Sequence, residues 1–80
     1  MKESMHESAA RIISKTFGVT GDYLDEMVLM VEMNYDDTSQ GRTGMERMAN
    51  GLWMNFSGGD TCYNAAKQIE NKWIEDGWVK

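Results

Sequence analysis

Four stretches of the sequence repeat apolar residues at the spacing of one face of a helix, and this pattern favours a helical fold. Side chains three or four positions apart lie on the same side of a helix. The stripes run from Met5 to Phe17, from Leu24 to Tyr35, from Met45 to Phe56 and from Cys62 to Trp73. The chain contains no proline, so no pyrrolidine ring excludes a helix at any position.

The residues that flank these stripes predict four helices, over 3–17, 22–35, 44–55 and 61–76. Gly18 is suited to end the first helix in a left-handed conformation. Thr20 or Asp22 is expected to cap the second, a Thr43-x-x-Glu46 capping box the third, and Asp60 the fourth. Gly77 and Trp78 have the pattern of a Schellman turn, which would bring Trp78 back onto the fourth helix. Residues 52–56 also fit a short strand, which leaves an α+β fold as the alternative.

The length of 80 residues is that of one small domain, over 1–80. Helices of about 12–16 residues are not stable alone in water, so they must pack against one another. The expected fold is therefore an all-α, compact bundle of four short helices. The predicted core is Ile12, Ile13, Phe17, Leu24, Met27, Val28, Val31, Met48, Leu52, Trp53, Phe56, Ala66, Ile69 and Trp73.

Several classes of protein are disfavoured by short sequence features. The longest apolar run, Met27 to Val31, is five residues long, against about 20 for a membrane span. The first residues carry acids where a signal peptide has an apolar segment. Cys62 is the only cysteine, so no internal disulfide is possible. We expect a cytoplasmic protein with no membrane contact.

Catalytic chemistry has few candidate residues in this chain. The one histidine, His6, lies in the first turn of the first predicted helix, and Cys62 lies on an apolar stripe. The segment that begins at Asp36 has the outline of a calcium-binding loop, with Gly41 in sixth place. Its twelfth place is Arg47, where calcium needs a glutamate. We therefore expect that the protein is not an enzyme and that it has no catalytic residue, no metal site and no cofactor.

The negative charge of the chain is concentrated in one segment. The formal net charge is −5, from 13 acidic and 8 basic residues. Residues 16–41 contain six of those acids and no Lys or Arg. They lie on the second predicted helix and the loop after it. One interpretation is a solvated face whose first acids favour the helix dipole; the other is a patch that docks on a basic surface.

The chain is also rich in methionine, with eight residues. Met30 and Met33 lie off the main stripe of the second predicted helix, so this helix could show a second face. Methionine suits either a malleable core or an adaptable contact surface. Acids and methionines together give one set of candidate partner-binding residues: Asp22, Asp25, Glu26, Met30, Glu32, Met33, Asp36 and Asp37.

Residues 13–24, Ile-Ser-Lys-Thr-Phe-Gly-Val-Thr-Gly-Asp-Tyr-Leu, resemble the centre of a helix-turn-helix of the phage-repressor type. The resemblance covers twelve residues and implies a turn at Gly18-Val19-Thr20. In that family the second helix enters the major groove of DNA. Here that helix would bring Asp22, Asp25 and Glu26 to the phosphates, so the match predicts the turn but not direct nucleic-acid binding.

Together these features predict a non-enzymatic, acidic protein-binding module. We expect it to dock on a basic surface of another protein, such as one that otherwise binds nucleic acid. By class analogy, small inhibitors encoded by phages and mobile elements act in this way. Two alternatives remain open: a structural homo-oligomer, for instance a homodimer, whose acids serve solubility, and a degenerate helix-turn-helix regulator.

Overall fold

The computed structural model describes residues 2–80 and confirms an all-α bundle of four short helices. They are α1 (Met5–Phe17), α2 (Gly21–Asp36), α3 (Gly44–Asn55) and α4 (Gly59–Glu75), with a 3₁₀ turn at Thr38–Gln40. Residues 2–80 contain no strand, and α3 extends through Asn55. The α+β alternative is therefore wrong.

The helix starts are capped differently from one another. Thr43 and Glu46 form the predicted capping box, in which Glu46 N–H donates to Thr43 Oγ1 at 3.2 Å. Thr20 occupies the cap position of α2, but its hydroxyl makes no capping bond. The prediction that Asp60 caps the fourth helix is wrong. Gly58 takes the cap position with a left-handed φ of 91°, which lets α4 begin at Gly59.

The C-terminal end of α4 closes with the predicted Schellman turn. Gly77 has a φ of 81°. Its N–H donates to the Ile74 carbonyl at 3.0 Å, and Trp78 N–H donates to the Trp73 carbonyl at 2.8 Å. The Trp78 indole also donates to the Glu3 carbonyl at 2.8 Å. The end of the chain is thus attached to the segment before α1.

The helices run alternately up and down, and each packs against the helices before and after it around the bundle. At one end, the Phe17 and Phe56 rings stack with centroids 4.1 Å apart, which brings the ends of α1 and α3 together. At the other end, the Trp73 indole donates to the Met5 carbonyl at 3.0 Å, which joins α4 to the start of α1. This is the up-down arrangement that short connections favour.

The core agrees with the sequence prediction except at Trp53 and at three residues that are only half-buried. The buried apolar residues are Ala9, Ile12, Ile13, Met27, Val28, Val31, Met48, Leu52, Cys62, Ala65, Ala66, Ile69 and Trp73. Phe17, Leu24 and Phe56 are half-buried against it. Trp53 is 60% exposed, so its placement in the core is wrong. The reason is that the buried face of α3 consists of Arg47, Met48, Gly51 and Leu52, and Trp53 lies outside it.

Arg47 joins α3 to the end of α2. Its side chain is 7% exposed and has no carboxylate partner among residues 2–80. Instead its guanidinium donates to four carbonyl oxygens, those of Asn34 (2.7 Å), Tyr35, Gly41 (2.9 Å) and Arg42 (2.7 Å). A positive charge there suits the negative end of the α2 dipole. Arg47 therefore fixes both the last turn of α2 and the following loop.

The connection between α1 and α2 has the turn that the helix-turn-helix resemblance implies. Phe17 ends α1, and Gly18 follows with a φ of 71° and donates its N–H to the Ser14 carbonyl at 2.8 Å. Gly21 then begins α2. Across residues 2–80, no helix combines the length and the apolar character that crossing a bilayer requires.

Candidate protein-binding surface

One side of α2 is turned away from the rest of the bundle and carries most of the predicted site residues. Its opposite side is buried through Met27, Val28 and Val31. Successive side chains turn by about 100° around a helix. The residues that this rotation places outward, which we call the α2 outer face, are Asp22, Asp25, Glu26, Leu29, Met33 and Asp36, and all six are exposed.

Among residues 2–80, the carboxylates of the α2 outer face have no Lys or Arg partner, and Asp25 is the one that approaches a histidine, His6. In the part of the chain that the structure describes, no Lys or Arg nitrogen lies within 4.0 Å of them. The basic residues that do form ion pairs lie on α1 and α4: Arg11 pairs with Glu3 at 2.8 Å, and Lys72 with Asp76 at 3.6 Å. No Lys or Arg therefore offsets the negative charge of the α2 outer face.

Two apolar side chains lie among these carboxylates. Leu29 is 55% exposed and Met33 is 71% exposed, four positions apart on the same face. The sequence prediction included Met33 but not Leu29, although the i, i+4 spacing from Asp25 to Leu29 and on to Met33 was a usable signal. The face therefore has an apolar centre with acids beyond both ends.

Glu32 belongs to the contact with α1 and not to the outer face. His6 Nδ1 lies 3.4 Å from Glu32 Oε1, and His6 Nε2 lies 3.8 Å from Asp25 Oδ1. Glu32 Oε1 is buried and accepts no hydrogen bond from residues 2–80. Sequence reasoning placed His6 in a terminal turn and did not connect it with α2.

Met30 is turned towards α3. Its side chain is half-buried, and its sulfur accepts a hydrogen bond from Asn34 Nδ2 at 3.2 Å. Both side chains reach the backbone of Gly51, where an added Cβ would overlap them. Met30 therefore fills the space between α2 and α3 and is not available on the outer face.

Asp37 holds the 3₁₀ turn that follows α2. Its carboxylate accepts hydrogen bonds from Ser39 N–H at 3.2 Å and from Gln40 Nε2 at 2.9 Å, and also from the Ser39 hydroxyl. The Ser39 hydroxyl, followed by Gln40, holds the pKa of Asp37 below its usual value. Five of the eight predicted residues thus share the α2 outer face, while Met30, Glu32 and Asp37 have other contacts.

A second exposed surface lies between α3 and α4. This α3–α4 groove has a volume of about 380 Å³ and is lined by Arg42, Glu46, Ala49, Asn50, Trp53, Gly59 and Tyr63. Trp53 is 60% exposed and Tyr63 is 45% exposed. Sequence reasoning missed this surface, because Trp53 continues the apolar stripe of α3 and was assigned to the core.

The groove differs from the α2 outer face in its charge. It contains one cation, Arg42, and one anion, Glu46. The backbone N–H and the hydroxyl of Thr43, together with the Arg42 charge, lower the pKa of Glu46. Charges in the groove therefore balance, whereas those on α2 are all negative.

Metal-ligating side chains do not form a cluster elsewhere in residues 2–80. Within the described range 2–80, no three His, Cys, Asp or Glu side chains come together in a way that could hold a metal ion. Cys62 is fully buried, and burial raises the pKa of its thiol. The sequence matches no protein-family model, and neither a curated protein nor a solved structure matches the chain.

Proposed function

We propose that this protein is a non-enzymatic binding module whose α2 outer face docks on a basic surface of another protein. The observation that carries the proposal is the arrangement on that face. Carboxylates that have no Lys or Arg partner among residues 2–80 flank the exposed pair Leu29 and Met33. Opposite charge on a partner would satisfy the acids, and contact would remove the apolar pair from water.

The two kinds of side chain have different roles in such a complex. Burial of Leu29 and Met33 supplies the apolar centre that protein interfaces commonly have. The carboxylates around them speed association with a basic partner and reject acidic ones. Methionine adapts its shape to an uneven partner surface, which suits Met33 to the centre of the contact.

The charge pattern favours a partner surface that otherwise binds nucleic acid. Asp22 and Asp36 are fourteen residues apart on one helix, a distance of about 21 Å. A surface that receives a line of carboxylates of this length needs spaced Lys and Arg side chains. A surface that receives a phosphate backbone needs the same. The proposed action is therefore that of a small inhibitor competing with nucleic acid, as small phage-encoded inhibitors do.

The face is held in place before any partner arrives. Arg47 fixes the last turn of α2 through the carbonyls of Asn34 and Tyr35. On the other flank, α2 lies against His6 of α1. A surface that is already ordered loses less entropy on binding. Docking therefore needs no rearrangement of α2.

A matched pair of charge reversals tests the proposal. Asp22→Lys with Glu26→Lys reverses two acids of the face. Asp60→Lys with Glu75→Lys reverses two exposed acids of α4, and Asp60, like Asp22, lies in the first turn of its helix. Immobilised wild type and both variants would be used to capture proteins from cells, with folding checked by circular dichroism.

The expected result is a captured protein that the α2 variant loses and the α4 variant keeps. Its capture should weaken as salt rises, and duplex DNA should compete for it. Equal capture by both variants would contradict a role for the α2 outer face. Direct binding of duplex DNA by the wild type would instead favour the helix-turn-helix alternative.

A further inference from the structure

The α3–α4 groove is a surface with an interface composition of its own. Exposed Trp53 and Tyr63 form its walls, and Arg42 lies at one end. Tryptophan, tyrosine and arginine are the residues that most often dominate the binding energy of protein interfaces. Exposed large apolar side chains in a small domain commonly mark a contact site.

The order of these side chains, from the end of the preceding loop along α3, makes the groove complementary to itself. Arg42 and Glu46 lie at the N-terminal end, Trp53 lies at the C-terminal end, and Ala49 and Asn50 lie between them. A two-fold axis makes each contact occur twice, with residue i against j and j against i. Two α3 helices placed antiparallel about such an axis bring opposite ends together.

The contacts in that arrangement match in chemistry. Arg42 of one copy comes to the Trp53 ring of the other, where a guanidinium over an indole is favourable. Glu46 comes to Asn50 of the other copy, an acceptor facing an amide donor. Ala49 lies near the axis, and its small side chain lets the two helices approach closely.

We propose that the α3–α4 groove binds a second copy of this chain and forms a symmetric homodimer. Charge supports this choice of occupant. Each copy carries a net charge of −5, but the groove contains one cation and one anion and is locally neutral. The α2 outer faces point away from the contact, so the dimer displays two of them and would bind a repeated basic partner twice.

Sedimentation equilibrium tests the dimer directly. The wild type should associate reversibly with concentration, and Trp53→Ala should weaken association by about 30-fold, as expected for an interface hot spot. Met54→Ala is the matched control. Met54 is adjacent and 79% exposed, but it does not line the groove, so its variant should dimerise like the wild type. Circular dichroism would check the fold of each variant.

A cysteine pair tests the geometry. Ala49→Cys places a thiol near the proposed axis, and mild oxidation should link two copies. Asn71→Cys places a thiol on an exposed position of α4 outside the groove and should not link them. The native Cys62 is fully buried in both variants.

Three results would overturn the dimer. They are a wild type that stays monomeric at about 1 mM, equal association of Trp53→Ala and Met54→Ala, and equal cross-linking of the two cysteine variants. None of these results bears on the α2 proposal, because the residues changed in the dimer tests lie outside the α2 outer face. The variant Asp22→Lys with Glu26→Lys should in turn leave the dimer intact. Conversely, loss of partner capture by that variant does not depend on dimerisation.

Discussion

The two ends of the bundle are held together by different chemistry. At one end the guanidinium of Arg47 donates to four carbonyls. Beside it, the Tyr35 hydroxyl donates to Glu70 Oε2 at 3.0 Å. At the other end Phe17 and Phe56 stack, and the Tyr23 ring meets Phe56 edge-on with centroids 6.0 Å apart. One end depends on directed hydrogen bonds and the other on apolar contact.

This difference bears on both proposed surfaces. Hydrogen bonds to a buried cation allow one geometry, so the polar end fixes the last turn of α2 and the loop that presents Arg42 to the α3–α4 groove. Half-buried aromatic rings tolerate small shifts more readily. The polar end therefore aligns the surfaces, and the aromatic end mainly closes the bundle. Substitutions at each end of the bundle test this division of roles.

Arg47→Met should have the largest effect, because it keeps an apolar stem of similar length and removes the guanidinium. Four carbonyls near the end of α2 would lose their donor, and we expect a loss of about 3–5 kcal/mol in the free energy of unfolding. Urea denaturation at neutral pH would measure it. Arg42→Met is the control, since Arg42 is exposed, and should change stability by less than about 0.5 kcal/mol. Equal stability of the two variants would contradict the role given to Arg47.

Arg47 is also an example of a buried residue that the sequence pattern did not predict. Apolar spacing located every helix to within two residues at each end, because the stripes that face the core are mostly apolar. Arg47 and Gly51 are buried too, but they are not apolar side chains, so the apolar spacing could not identify them. Without them the buried face of α3 was assigned to the stripe that contains Trp53, and the groove was missed.

The candidate site could also be predicted only in part. That acids crowd one side of α2 could be predicted, because it follows from residue spacing on that helix alone. The contacts of Met30 with α3 and of Glu32 with α1 could not be predicted, because they form only when the helices pack. Asp37 instead binds Ser39 and Gln40, two and three residues further along the chain, so its role in the turn was open to prediction from the sequence. Local pattern thus predicts a helix face, and tertiary contact decides which of its side chains remain available.

Gly44→Ala should have the second largest effect and acts on the polar end without removing a hydrogen bond. An added Cβ would lie 2.6 Å from Tyr35 Cε1. That ring cannot move freely, because it packs edge-on against Trp73 and its hydroxyl is bound to Glu70. We expect a loss of about 2 kcal/mol, measured by thermal unfolding.

Gly51→Ala is the matched control for Gly44→Ala. Its added Cβ would meet the flexible ends of Met30 and Asn34, which can rotate away, and alanine favours a helix interior by about 1 kcal/mol over glycine. It should therefore be the less harmful of the two substitutions. A Gly51→Ala variant less stable than Gly44→Ala would mean that the contact of Met30 and Asn34 with α3, and not the Tyr35 ring, limits the packing between these helices.

Phe56→Leu tests the aromatic end. The substitution keeps an apolar side chain and removes the stacking with Phe17, so we expect a loss of about 1–1.5 kcal/mol. The division of roles also makes a prediction about binding. Partner capture and dimerisation should be unchanged, because the polar end still aligns both surfaces. A Phe56→Leu variant that folds but fails to capture a partner would show that the aromatic end also aligns α2.

Tyr35→Phe should have the smallest effect, about 1 kcal/mol at neutral pH, from one hydrogen bond between partly buried side chains. Burial, followed by the hydrogen bond to Glu70, raises the pKa of Tyr35 from 10.0 to about 12. A raised pKa in the folded state gives stability that is complete below pH 10 and is lost as the pH rises through 12. The difference in unfolding free energy between wild type and variant should therefore shrink over this range. A constant difference from neutral pH to about pH 12 would show that the ring contacts with Trp73 and Gly44, and not the hydroxyl, hold this end of the bundle.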